Sequence, residues 1–231
     1  MHSSVVYFTM KVITEDMIRG KRILEVGSKN VNGSLREFIS GLNPASYTGI
    51  DVEKGAGVDM VVDAEKIDAE LSLPDGGYDV VICTEVMEHV KDWRKAINNI
   101  KDKLAPEGFV LISVRGIGMP YHPYPDDYWR YSIEDMAKIF ADYDIWALED
   151  DTEYAGVFIL AKKRGEPKVD LKKIELFKVT KEYTADNAEK YEEVERARLI
   201  YGEPDDVIAE KMAEDDIEDY KSVSKGKKSK E

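Results

Sequence analysis

Five short apolar runs, near residues 22–26, 46–51, 58–62, 78–83 and 109–114, alternate with amphipathic segments along this chain. Such alternation is the pattern of a mostly parallel sheet covered by helices. Helices are expected near 34–42, 92–104 and 132–141. In the second of these, Trp93, Ala96, Ile97, Ile100 and Leu104 recur at spacings of three, one, three and four, one face of an α-helix. Pro106 and Gly108 then stop it and lead into FVLISV. Two further strand-like runs, DIWALED and YAGVFILAKK, are separated by a few polar residues and should pair as an antiparallel hairpin at the far end of the sheet. The expected order is five βα units followed by that hairpin.

The sheet should end at about Lys162, where composition shifts. Residues 163–231 hold 16 Lys/Arg and 19 Asp/Glu, while residues 1–162 carry a net −11 of the total −14. The expected domains are therefore 1–162, a charged helical extension over 163–220, and a disordered Lys-rich tail over 221–231. Within the extension, 168–178 and 182–220 read as helices, with Gly202 and Pro204 between two of them. These helices could dock a partner or a second copy. An acidic main domain repels phosphate backbones, which argues against nucleic acid as a partner. The single cysteine, Cys83, lies in an apolar run and reads as buried and inert, in keeping with a reducing, cytoplasmic setting. No apolar run approaches the ~20 residues that span a bilayer. The N-terminal stretch lacks the apolar core of a signal peptide.

The chemistry gathers at the carboxyl ends of the strands, where open α/β sheets bind ligands. The first run leads into ILEVGSKNVNG, a strand followed by a loop of small residues. It looks like a nucleotide-binding turn, but the alternating glycines of a pyrophosphate loop are missing, with Lys29 in place of the second. Downstream, the second run ends in Asp51, which can accept two hydrogen bonds from vicinal ribose hydroxyls. The third is followed by Asp63-Ala64-Glu65, where an acid can accept from an exocyclic amine. YDVVICTEVMEHV then places Thr84, Glu85, Glu88 and His89 just past the fourth.

In these stretches, and in LAPEGFVLISV, the chain resembles the class I S-adenosylmethionine-dependent methyltransferases of the broad group called type 11, over about residues 20–162. The resemblance implies a Rossmann-like, seven-stranded, mostly parallel sheet whose last strand is antiparallel, with helices on both faces. It implies S-adenosylmethionine as cofactor and S-adenosylhomocysteine as product. By the same resemblance Glu25 and Gly27 line the methionine end, with Ser28, Asn32 and Gly33 in the same loop. Asp51 with Val52 holds the ribose, Asp63 and Ala64 meet the adenine, and Thr84 and Glu85 border the methyl group. The family pattern has glycine where this chain has Lys29 and Val31.

Between the fifth run and the helix at 132 lies RGIGMPYHPYPDDYWRYS, with three prolines, four tyrosines and a tryptophan in 18 residues. Leaving the same edge of the sheet, it should roof the pocket, and related chains carry a similar stretch. Tyr121, His122, Tyr124, Asp127, Tyr128, Trp129 and Arg130 are the expected substrate residues. His122 could take a proton, oriented by Asp126 or Asp127, and Arg130 could pair with an anionic substrate. The plainer alternative packs Tyr128, Trp129 and Tyr131 on the core and ties Arg130 to an acid. Glu85, His89 and His122 are the catalytic candidates, although His89 also reads as a structural hydrogen-bonding group. Without a cysteine cluster, two histidines give no expected metal site. The expected function is methyl transfer, to oxygen or nitrogen, of a small-molecule, glycan or other non-nucleic-acid acceptor. A non-catalytic cofactor-binding module and a nicotinamide-dependent oxidoreductase are the rivals, the latter disfavoured by the missing glycines.

Overall fold

A computed structural model of the chain describes residues 2–184 apart from 73, 75, 166–168 and 182. The expected helices over 182–220 lie, but for Tyr183 and Thr184, outside the described residues, as does the tail over 221–231. In chain order the elements are α1 Ser3–Val12, α2 Glu15–Ile18, β1 Arg22–Val26, α3 Arg36–Gly41, β2 Ser46–Asp51, β3 Met60–Val61, α4 Ile67–Glu70 and β4 Tyr78–Thr84. There follow α5 Trp93–Lys103, β5 Leu104–Arg115, β6 Trp129–Arg130, α6 Ile133–Ile139, β7 Tyr143–Asp151, β8 Gly156–Lys163 and β9 Phe177–Lys178.

Seven strands form one sheet in the order β3-β2-β1-β4-β5-β8-β7. The pairs from β3 to β5 are parallel, with Leu24 opposite both Thr48 and Val81. β8 is antiparallel to β5 on one side and to β7 on the other. This is the expected Rossmann-like sheet with its antiparallel last strand. Because strand side chains alternate, each central strand feeds two cores. Ile23, Val80, Ile82 and Leu111 pack against Val5, Phe8, Ile18 and Ile39 from α1, α2 and α3. Leu24, Val81, Cys83 and Val110 pack on the other face against Trp93, Ile97 and Ile100 of α5 and Met136 and Ile139 of α6.

The helix expected at 92–104 forms as α5, started by the Asp92 carboxylate, which accepts from the Lys95 N–H. The strand expected at 109–114 is longer, because Leu104 already pairs with Tyr78. Pro106, Glu107 and Gly108 sit in a register shift of that strand, with Glu107 at φ +61°.

Of the helix expected over 168–178, the described residues 169–178 take another form. Residues 171–173 make a single 3-10 turn capped by Asp170, and residues 177–178 form β9, antiparallel to β6. Leu171, Ile174 and Leu176 enter the core beside α5 and α6, and Phe177, Val179 and Tyr183 form a small cluster of their own. The Arg94 side chain donates to the carbonyls of Leu171 and Ile174, backbone acceptors that a helix would have used internally. Tertiary burial thus overrides local helical spacing. Two helices, α1 and α2, precede the first strand, where the sequence reading has no element. No helix among the described residues is long and apolar enough to cross a membrane.

Candidate functional site

The carboxyl ends of β1, β2 and β4 open into a cavity of about 720 Å³. Its wall includes Glu25, Gly27, Ser28, Asn32, Gly33, Asp51, Val52, Asp63, Ala64, Thr84 and Glu85, so every residue expected to hold the cofactor faces one space.

The loop after β1 is held down by β2. The N–H groups of Gly27 and Ser28 both donate to the Ile50 carbonyl, at 2.8 and 3.0 Å. The Lys29 N–H donates to Asp51 Oδ2 at 3.0 Å, and Asp51 Oδ1 accepts from the Glu53 N–H at 3.0 Å. Gly27 has φ +78°, a conformation that suits glycine, and a β-carbon there would stand 2.0 Å from Val86 Cγ2. Lys29 needs no such freedom. Its side chain leaves the loop to pair with Glu53 and to lie 5.8 Å from the Tyr124 ring centroid, so it links the loop to the roof.

Glu25 is buried at the bottom of this wall, and its Oε2 has no hydrogen-bond partner among the described residues. Burial pushes its pKa up to about 7. Asp63 accepts from the Glu65 N–H at 2.9 Å, which starts a 3-10 turn over 64–66, and the Ala64 carbonyl accepts from Asn99 at 2.9 Å.

Glu85 adopts φ +59°, a strained backbone for a residue with a side chain. Its N–H donates to the Ser113 carbonyl at 3.1 Å, and its carboxylate takes Ser113 Oγ at 3.0 Å together with the Arg115 guanidinium. Arg115 is fully buried and also donates to the Tyr154 carbonyl at 2.8 Å. Ser113 and Arg115 thus hold the Glu85 carboxyl in one place on the cavity wall. Arg115 and the cavity-lining His2 carried no sequence signal, since an arginine ending a strand and an N-terminal histidine resemble surface residues.

The roof loop divides. His122, Tyr124 and Tyr128 line the cavity with His89. Tyr121, Asp127, Trp129 and Arg130, expected as substrate residues, stand behind that lining. Tyr121 packs beside Phe177, Val179 and Tyr183, and its N–H donates to the Tyr183 carbonyl. The Trp129 ring packs on the main core and its Nε1–H donates to the Val90 carbonyl at 2.9 Å. Arg130 is fully buried, donates to both Asp127 oxygens at 2.6 and 2.7 Å and to the carbonyls of Met119 and Pro120, and so has no reach to an anionic substrate. The plainer alternative holds for Trp129, Tyr131 and Arg130, and fails for Tyr128. Asp127, not Asp126, stands beside His122, with Oδ2 at 3.1 Å from Nδ1. Asp126 instead offers its carbonyl to His89 Nδ1, at 2.6 Å. Cys83 is buried beneath the sheet edge, and burial pushes its thiol pKa up, in keeping with an inert role.

The profile of a protein family described as a methyltransferase domain matches residues 11–147. Among curated proteins no sequence matches. Among solved structures, the fold is similar to an S-adenosylmethionine-dependent methyltransferase from Mesorhizobium loti, at 12% identity over 70% of this chain and 99% of that one, with a TM-score of 0.52. It is similar to a methyltransferase solved in complex with the Haloferax volcanii Trm112 activator, at 12% identity over 72% and 91%, with a TM-score of 0.55. It is equally similar to the [4+2]-cyclase SpnF, at 15% identity over 71% and 80%, with a TM-score of 0.53. These likenesses concern the fold, which carries more than one chemistry.

Proposed function

Because the chain belongs to the methyltransferase-domain family, we propose that it binds S-adenosylmethionine above β1, β2 and β4 and passes the methyl group to a small-molecule or glycan acceptor under the 115–128 loop. The observation that carries this reading is the convergence of Glu25, Gly27, Asp51, Asp63 and Thr84 on one cavity. Its volume of about 720 Å³ lies within the ~300–1,000 Å³ typical of small-molecule sites.

The residues suit this cofactor. Glu25, buried and with Oε2 unpartnered among the described residues, offers its charge to the methionyl ammonium. Asp51 accepts one backbone bond on each oxygen, which leaves a lone pair on each for the ribose diol. S-adenosylmethionine supplies a methyl group already activated on sulfonium, so the protein's task is to hold the acceptor in line and keep water out. His89, His122 and Tyr128 border the acceptor end, and the Glu85–Arg115 pair fixes the floor between the two ends.

Calorimetry with S-adenosylmethionine, S-adenosylhomocysteine and NAD tests the reading; both sulfur nucleosides should bind and NAD should not. Asp51→Ala should weaken S-adenosylhomocysteine by about 2–3 kcal/mol, as expected for charge-assisted bonds, and unchanged affinity contradicts its role. The pH dependence follows from Glu25. Its raised pKa means that it is protonated below about pH 7 and charged above. A ligand ammonium prefers the carboxylate, so affinity should rise with pH and level off above 7, gaining about tenfold between pH 6 and 8. Glu25→Gln should flatten that profile; a slope that survives assigns it to another group.

A further inference from the structure

The chain has three histidines, and all three line this one cavity. The rings of His89 and His122 meet edge to face with centroids 5.1 Å apart. On each ring Nδ1 is already engaged. His89 Nδ1–H donates to the Asp126 carbonyl at 2.6 Å, and His122 Nδ1 stands 3.1 Å from Asp127 Oδ2 and 3.3 Å from the Pro120 carbonyl. Arg130 Nη2 also stands 3.4 Å from His122 Nδ1 but donates at 2.7 and 2.8 Å to Asp127 Oδ2 and the Pro120 carbonyl. The nearer groups at both Nδ1 atoms are thus acceptors, which favours the proton there and the lone pair on Nε2, the arrangement in which histidine serves as a metal ligand.

Beside them in the cavity lining is Glu88. Its side chain is 1% exposed, and neither carboxylate oxygen has a hydrogen-bond partner among the described residues. Arg115 Nε stands 3.8 Å from Oε1, beyond hydrogen-bond distance. A buried carboxyl without a partner is costly. One ligand atom from each of Glu88, His89 and His122 lies within 4.8 Å of the other two. Two ligands each ~2.1 Å from one ion stand at most ~4.2 Å apart, so the three groups already stand near the spacing that one ion requires.

We propose that Glu88, His89 and His122 bind one divalent first-row transition ion, of the zinc or cobalt kind, at the acceptor end of the cavity. Two imidazoles and a carboxylate favour such an ion over magnesium. Three protein ligands leave at least one position open. That position suits a hydroxyl oxygen of the acceptor, whose proton the ion would help release to water. Both histidines then act as ligands, and His122 is no longer needed as a base. The catalytic part rests on the methyl-transfer reading; the binding of the ion does not.

The test uses the full chain, untagged and stripped with a chelator, then titrated with zinc and cobalt by calorimetry and visible absorption. One equivalent should bind, with cobalt showing d–d bands and magnesium competing poorly. In wild type, zinc should shift the imidazole nitrogen resonances of His89 and His122. His89→Ala and His122→Ala should each weaken the ion at least ~100-fold, since loss of even an outer partner costs ~10–100-fold. Glu88→Gln should weaken it at least ~10-fold. Failure of wild type to bind a stoichiometric ion overturns the proposal. So does unchanged affinity in a histidine variant that melts like wild type. Unchanged affinity in Glu88→Gln would assign Glu88 to Arg115 and overturn the three-ligand site. S-adenosylhomocysteine binding without ion binding would leave the methyl-donor site standing and remove only the ion; the reverse result would spare the ion and remove the donor.

Discussion

Replacing Asp127 by alanine should cost roughly 3–5 kcal/mol of stability, because it strands a buried guanidinium. Asp127 and Arg130 side chains are both fully buried, and Arg130 donates to both carboxylate oxygens. Burial alone would raise the Asp127 pKa, but the Arg130 and His122 contacts outweigh it and hold the carboxyl well below the usual carboxylate range. The sign follows. A carboxyl with a depressed folded pKa contributes stability that is present above its unfolded value of ~3.9 and is lost as pH falls below it. Urea unfolding should therefore separate wild type from Asp127→Ala widely at pH 7 and less at pH 3. The double variant Asp127→Ala/Arg130→Met should recover much of the loss, since no charge is left unpaired. A single variant within about 0.5 kcal/mol of wild type contradicts this account of the pair.

The second large effect is expected at Gly27. A β-carbon there meets two penalties, a left-handed backbone worth ~1–2 kcal/mol and an overlap with Val86 that adds ~1–3 kcal/mol. Gly20 separates them, because it has φ +68° and nothing within 4 Å of the place where a β-carbon would be. Gly20→Ala should lose only the backbone share and keep wild-type affinity for S-adenosylhomocysteine. Gly27→Ala should lose both shares, and affinity should fall at least ~10-fold as Val86 is pushed across the cavity wall. Equal stability losses in the two variants would remove the Val86 contact from the explanation.

What was legible in sequence was whatever a period or a strand end determines. The five apolar runs became β1 to β5, and the acids at their carboxyl ends came together, because strand direction fixes which ends meet. α1 had a readable signal in Val5, Phe8 and Val12 at helical spacing, whereas α2, four residues long, has little periodicity to read. The segment 168–178 misleads because Leu171, Ile174 and Lys178 recur at helical spacing while the carbonyls of Leu171 and Ile174 are taken by Arg94. The roof residues were the hardest to sort. Composition marks 115–132 as aromatic and stiff, but only the folded path turns Tyr124 and Tyr128 inward and Tyr121 and Trp129 away. For the same reason the meeting of Glu88 and His89 with His122 has no signature in spacing, since the loop that brings His122 back is a tertiary event.

The pairing of β6 with β9 ties that loop to chain that follows the sheet. The Gly118 N–H donates to Tyr183 Oη, the Tyr121 N–H to the Tyr183 carbonyl, and the Val179 N–H to the Tyr128 carbonyl, each at 2.8 Å. The roof loop is thus moored at both ends of its span by Val179 and Tyr183. The position of the roof is consequently a heritable property of two separate stretches of chain. Recombining this sheet with the post-sheet segment of a relative would exchange mooring and roof position together while leaving the donor side, built on β1 and β2, as it was. Changes at Val179 or Tyr183, which lie outside the cavity lining, can therefore shift the roof without altering any residue that faces the cavity.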